Sequence, residues 1–168
     1  MNHATLKDWF AAYDAAALHD ADAPPRDVRI LAENADVVVG SDLPRAFVSA
    51  RLLRADAASS PLLREAMLPV PRIFGATVPL AVWAVITALN GFVAMRRGQW
   101  PRAEDRQRTR AAADWLESQT VPDNAVVVVT HGAFRRLLSD ELRARGWKES
   151  ARSGGHRHWS VRTFQRIL

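Results

Sequence analysis

Two short, unbroken β-branched runs, Val37-Val38-Val39 and Val126 to Val129, stand out along an otherwise amphipathic chain. Runs without polar alternation predict strands buried on both faces of a sheet. Each is followed by a turn and then a helical pattern. After the first come Gly40-Ser41-Asp42-Leu43-Pro44-Arg45-Ala46 and a helix to about Arg54, with proline at a plausible first helical position. After the second come Thr130-His131-Gly132 and a helix whose apolar positions are Phe134, Leu137, Leu138 and Leu142, stopped by Gly146. Leu6, Trp9, Phe10, Tyr13 and Ala17 recur at helical spacing behind a capping box read from Thr5 and Asp8, and Pro24-Pro25 ends that helix. A short helix over Val28 to Glu33, a longer one over Ala103 to Ser118 and a last edge strand through Trp159, Val161 and Thr163 complete the pattern. Strand, turn and helix, twice over, with helices between, predict one α/β domain over residues 1–168, a three-layer sandwich on a mostly parallel central sheet.

Val78 to Met95 carries no charge over 18 residues and is flanked by Arg72 and by Arg96-Arg97. That length meets the lower limit for a membrane-spanning helix. Pro79, Thr87, Asn90 and Gly91 interrupt it, so a buried or pocket-covering helix is expected and membrane association is the lesser alternative. The net charge of +5 and pI of about 10.8 come almost wholly from arginine, Lys7 and Lys148 being the only lysines. Such a charge favours anionic partners. The arginines are spread along the chain without an RNA-binding aromatic motif or zinc-finger spacing, which argues against nucleic acid as partner. There is no cysteine, and Met1 to Thr5 lacks the basic start and apolar run of a signal peptide, so a cytoplasmic protein is expected.

In a doubly wound sheet, ligands bind beyond the carboxyl ends of the strands. Ser41 to Arg45 and Thr130 to Gly132 fall there. An arginine fork suits phosphate oxygens, histidine adds a donor, and the amides of two helix starts favour an anion. Taken singly, Arg45 reads as a solvated helix arginine, His131 as a helix cap, and Ser41 and Asp42 as ordinary helix-start residues. Only the two turns together point to a phosphate pocket.

The stretch Asp36 to Ala46, a valine strand and then Gly-Ser-Asp-Leu-Pro-Arg-Ala, resembles the strand and Ser-x-Leu-x-Arg-Ala turn of the histidine phosphatase superfamily, the phosphoglycerate-mutase-like proteins. Val126 to Gly132 is similar to that family's second histidine motif, and Leu63-Arg64-Glu65 to its Leu-x-Glu site, in the family's order over roughly residues 5–167. The resemblance implies phosphomonoester hydrolysis or a mutase reaction through a phosphohistidine, without metal or other cofactor. It gives Arg45 and His131, with Ser41 and Gly132 beside them, the phosphoryl group to hold, and Glu65 the role of proton donor. The implied partner is a small phosphorylated substrate or inorganic phosphate. The segment from Ala66 to Gln99 would hang over the pocket and set specificity. For His156, Arg157 and His158 a solvated, charged strand end is the favoured reading, with an approach to the pocket from the last strand as the lesser alternative.

The family's Arg-His-Gly, at the end of its first strand, is absent. His3 and His19 have neither an upstream strand nor a following glycine. Loss of an interior strand of about five residues would leave on the order of ten hydrogen bonds unmade, roughly 5–10 kcal/mol. The expectation is therefore a phosphatase-like domain, inactive as given, with a gap beside the His131 strand open to pairing with a second copy. Whether the chain is an enzyme thus depends on that motif: a shortened chain is the favoured account, and a phosphoester-binding pseudoenzyme or a strand supplied by a partner are the others.

Overall fold

The computed structural model describes residues 2, 5, 6, 8, 9, 12, 16, 23–70, 77–120, 124–155 and 157–166. Its elements are α1 (Arg26–Glu33), β1 (Val37–Ser41), α2 (Pro44–Leu53), β2 (Ala58–Ser60) running into a 3-10 turn (Pro61–Leu63), α3 (Leu80–Arg96), α4 (Ala103–Gln119), β3 (Val126–Val129), α5 (Gly132–Ala144), β4 (Lys148–Ser153) and β5 (Val161–Gln165). Strands β2, β1 and β3 form a three-stranded parallel sheet in that order, while β4 and β5 pair antiparallel as a separate hairpin.

The alternation of side chains in β1 divides the core. Val39 joins Leu63, Trp100, Ala112, Ala113 and Phe134 on the face covered by α4 and α5. Val38 joins Val28, Ala32, Ala50 and Leu53 on the face covered by α1 and α2. Helices thus lie on both faces of the sheet. Phe134 is completely buried, a burial that stabilises the fold by about 2–3 kcal/mol. Far from the sheet ends, Arg145 binds Asp114 and Glu117 of α4 and Glu141 of α5, fastening the two helices together.

Gly40 sets how closely α2 can approach β1. A Cβ there would lie 2.8 Å from the Ala50 Cβ and 3.1 Å from the Ala46 carbonyl oxygen. Only the absence of a side chain lets the helix seat against the strand, and that seat fixes where Arg45, in the first turn of α2, projects. The end of α5 meets the sequence expectation. Gly146 has φ +90°, and the amides of Gly146 and Trp147 close back on the carbonyls of Arg143 and Leu142.

Several expectations need correction. The first-helix cap is not Thr5 with Asp8; Asn2 caps it, its Oδ1 accepting from Thr5 N at 3.0 Å while Thr5 Oγ1 accepts from Asn2 N at 2.9 Å. Thr5, Leu6, Asp8, Trp9 and Ala12 are helical, and Phe10, Tyr13 and Ala17 lie outside the described residues. The uncharged segment forms a helix as expected, α3, but of the two forms expected full burial does not hold: one side buries Trp83, Thr87, Gly91 and Ala94, and Val85, Leu89 and Phe92 are exposed. Among the described residues no helix is long and apolar enough to cross a membrane. Trp159 precedes the last strand instead of starting it, with φ +58°. Strands β2 and β4 carry no hydrophobic pattern and were not expected. The four valines of β3 pack against both core clusters, Val126 and Val128 on one face and Val127 and Val129 on the other, as a strand covered on both faces should, but all are only half-buried, and among the described residues β3 pairs with β1 alone.

Candidate functional site

The turns after β1 and β3 and the segment after the 3-10 turn converge at the carboxyl end of the sheet. Their union is built from polar side-chain contacts between the segments. Thr130 Oγ1 donates to the Leu63 carbonyl at 2.7 Å. Arg64 grips Asp42 with both arms, Nε to Oδ1 at 2.8 Å and Nη2 to Oδ2 at 2.6 Å. That bidentate pair, more than its Coulomb attraction, holds the Asp42 carboxyl below its ordinary range.

Glu65 reaches the start of α5. Its Oε1 accepts from Phe134 N at 2.9 Å and from Ala66 N at 2.9 Å. Phe134 N is one of the first-turn amides that no intrahelical carbonyl can satisfy, and the helix has no side-chain cap of its own at His131. A carboxylate brought from 69 residues away does that work, with a favourable helix dipole. Glu65 is thereby fixed at the first turn of α5, with Oε1 committed to two amides.

Ser41 is fully buried, and its Oγ accepts from Leu43 N at 3.2 Å. It shapes the turn and offers no surface to a ligand. Gly132, by contrast, is exposed, with open space where a Cβ would stand. His131, two residues beyond β3, precedes α5 in extended geometry and accepts from Arg135 N at 2.8 Å through its carbonyl. Its Nε2 is buried and makes no hydrogen bond among the described residues. Burial first, and then the guanidinium charges of Arg45 and Arg108, push its pKa down to about 4; Asp42 opposes them weakly, its charge being spent on Arg64. At neutral pH His131 is therefore an uncharged imidazole flanked by cations.

Arg108 was missed by the sequence reading. From α4 it donates to the carbonyls of Leu62, Arg64 and Glu65, is held by Asp105 Oδ1 at 2.7 Å, and lies 4.5 Å over the Phe134 ring. One side chain thus clamps the Glu65 segment and adds positive charge at His131. The only sequence signal was Asp105 and Arg108 at i, i+3 within a helix.

The other histidines and the arginine before the last strand are not brought here as far as the structure describes them, and for Arg157 and His158 this agrees with the favoured reading of a solvated strand end. His3, His19 and His156 lie outside the described residues. Arg157 and His158 are exposed on the turn before β5, where His158 stacks on Trp159 at 4.8 Å. Of the segment from Ala66 to Gln99, residues 71–76 lie outside the described residues. Among the described residues no group of three His, Asp or Glu side chains is placed to hold a metal ion. Chemically, the arrangement is a cationic, partly dehydrated spot with one neutral imidazole and the amide end of a helix, suited to an oxyanion. No protein family, curated protein or solved structure matches the chain in comparison with known proteins.

Proposed function

We propose that this chain is a phosphate-holding domain of the histidine-phosphatase kind, binding inorganic phosphate and phosphomonoesters between Arg45 and His131. The observation that carries the reading is the buried Nε2 of His131, without a hydrogen-bond partner among the described residues and under the positive charge of Arg45 and Arg108. A buried polar atom left unpaired costs about 1–3 kcal/mol. A phosphate oxygen would satisfy it. It would also neutralise the charge that depresses the imidazole.

Arg45 supplies a planar fork for two phosphate oxygens, and the start of α5 adds a favourable dipole. His131 gives one N–H when neutral and, with a dianion bound, gains a proton. Glu65, held at the same helix start by Phe134 N and Ala66 N, is the residue to which the family resemblance would give the role of proton donor to a leaving oxygen. Phosphoryl transfer through a phosphohistidine needs a second, attacking histidine, and His131 is already the residue expected to hold the phosphoryl group. The chain as given has no Arg-His-Gly to supply the attacker. Binding without turnover is the activity these residues support.

Titration calorimetry with orthophosphate, run beside a p-nitrophenyl phosphate assay, tests this. Orthophosphate should bind, Arg45→Ala and His131→Ala should each weaken it by about tenfold or more, and p-nitrophenol should not be released. No orthophosphate binding, or binding indifferent to both substitutions, would sink the reading. Turnover that disappears in His131→Ala would instead make this chain a phosphatase in its own right.

A further inference from the structure

A second cationic depression runs along α5 from its first turn, where Gly132 follows His131. It opens with a volume of about 440 Å³ between α5 and the β4–β5 hairpin, lined by Gly132, Arg135, Arg136, Asp140 and Arg143 of the helix and by Arg152 and Arg162 of the hairpin. Neither Arg45 nor His131 lines it, nor do they line the more apolar depression of about 290 Å³ beside Trp100 and Leu137.

The guanidinium groups are held in place by contacts that leave most of their charge unanswered. Arg143 and Arg152 both bind Glu149, and Asp140 holds Arg143 at 2.6 Å. Arg135 donates through Nη1 to the Ser160 carbonyl at 2.8 Å and to the Ser160 hydroxyl, while its Nε is buried with no partner among the described residues. Arg162 forms no ion pair among the described residues. Five arginines against the carboxylates of Asp140 and Glu149 leave an excess of three positive charges in one small volume. Burial, and then the like charges of Arg162 and Arg152, press the Arg135 guanidinium below its ordinary value. Fixing like charges together costs stability unless an anion is there to answer them.

We propose that this depression binds an oligophosphate, a short chain of phosphate groups carrying three to four negative charges. The lining chooses this class over other anions. Arginine forks match phosphate oxygens in pairs. No aromatic side chain lines the depression, so it offers no platform for stacked bases, and single-stranded nucleic acid lacks its usual second source of affinity. The lining is almost entirely charged, so an acyl chain has nowhere to sit. The depression is bounded by one helix and one hairpin, which suits a compact ligand better than a long polyanion. The oligophosphate is either free or the tail of a nucleotide, and both carry the same recognised chemistry.

The test is titration calorimetry on the full chain with sodium tripolyphosphate, ATP, adenosine and sulfate, repeated on an Arg45→Ala chain so that the site at His131 does not contribute. Tripolyphosphate should bind in both, at least about tenfold more tightly than sulfate, and adenosine should not bind. Arg162→Ala and the bulkier Arg162→Gln should each weaken tripolyphosphate by about tenfold, with unchanged thermal melting showing that the fold is intact. ATP binding as tightly as tripolyphosphate supports a nucleotide tail, and tripolyphosphate alone supports a free oligophosphate. Affinity no better than for sulfate, affinity unchanged in Arg162→Gln, or binding lost in Arg45→Ala overturns the proposal. Orthophosphate binding at His131 is a separate measurement, so the two readings fail separately.

Discussion

Burying a neutral imidazole among guanidinium groups gives His131 a pH dependence that can be followed at that one side chain. Its pKa is pushed down from 6.5 to about 4 in the folded chain. Between those values the unfolded chain binds a proton that the folded chain does not. Stability is therefore lowest on the acid side of that window and is recovered as pH rises through it, a difference of about 3 kcal/mol. The carboxylates act elsewhere: Glu149, held down to about 2 by Arg152 and then Arg143, loses its contribution only as pH falls from 4.5 toward 2. Urea midpoints at pH 7 and pH 4.5 should therefore differ for the natural chain and differ much less for His131→Gln. An equal difference in both would show that His131 is not the group that titrates. His131 was legible in the sequence because a valine run followed by His-Gly puts that residue at a strand end whatever surrounds it. Arg108 was not, because it acts on three backbone carbonyls 43 to 46 positions away, and no local pattern records where those carbonyls will fold.

Among the elements, β1 and α2 were readable because their signals are local: a β-branched run, a glycine, and a proline at the helix start. What the pattern did not convey is that Gly40 is there for packing as well as for the turn. The short distances from a Cβ at Gly40 to Ala50 and to the Ala46 carbonyl mean that even alanine must push α2 away from the sheet. Gly40→Ala should cost about 1–3 kcal/mol, measured by urea denaturation. Because Arg45 lies in the first turn of that helix, the same substitution should also weaken orthophosphate binding; a destabilised chain with unchanged affinity would mean that the α2 seat does not place Arg45. Strand β4, Lys-Glu-Ser-Ala-Arg-Ser, stayed hidden for the opposite reason. It is nearly all exposed and held by pairing with β5, and polar strands that owe their shape to a partner leave no periodicity to find. Strand β2 has only three residues and is specified by its register against β1, Val39 to Ala58 through Ser41 to Ser60.

For the molecule as a whole, the main consequence is the division of its strands into a parallel sheet of three and a separate hairpin of two. Val127 and Val129 of β3 and Val161 of β5 pack against the same core cluster. Yet among the described residues no strand pairs with the second edge of β3. An edge of four valines, β-branched and uncharged, is a template for another strand. Its amides provide the test. In a parallel ladder, alternate amides of β3 point toward β1 and the others point away, whereas β1 is paired on both sides. Hydrogen exchange at high dilution should find β1 protected throughout and every second amide of β3 exchanging fast. On raising the protein concentration, those fast amides should become protected as sedimentation reports association, because a second chain fills the edge. Exchange that is fast at every concentration, with a monomer throughout, would show that the unpaired edge of β3 alone does not recruit a partner. Uniform protection of β3 at high dilution would show instead that the chain covers its own edge.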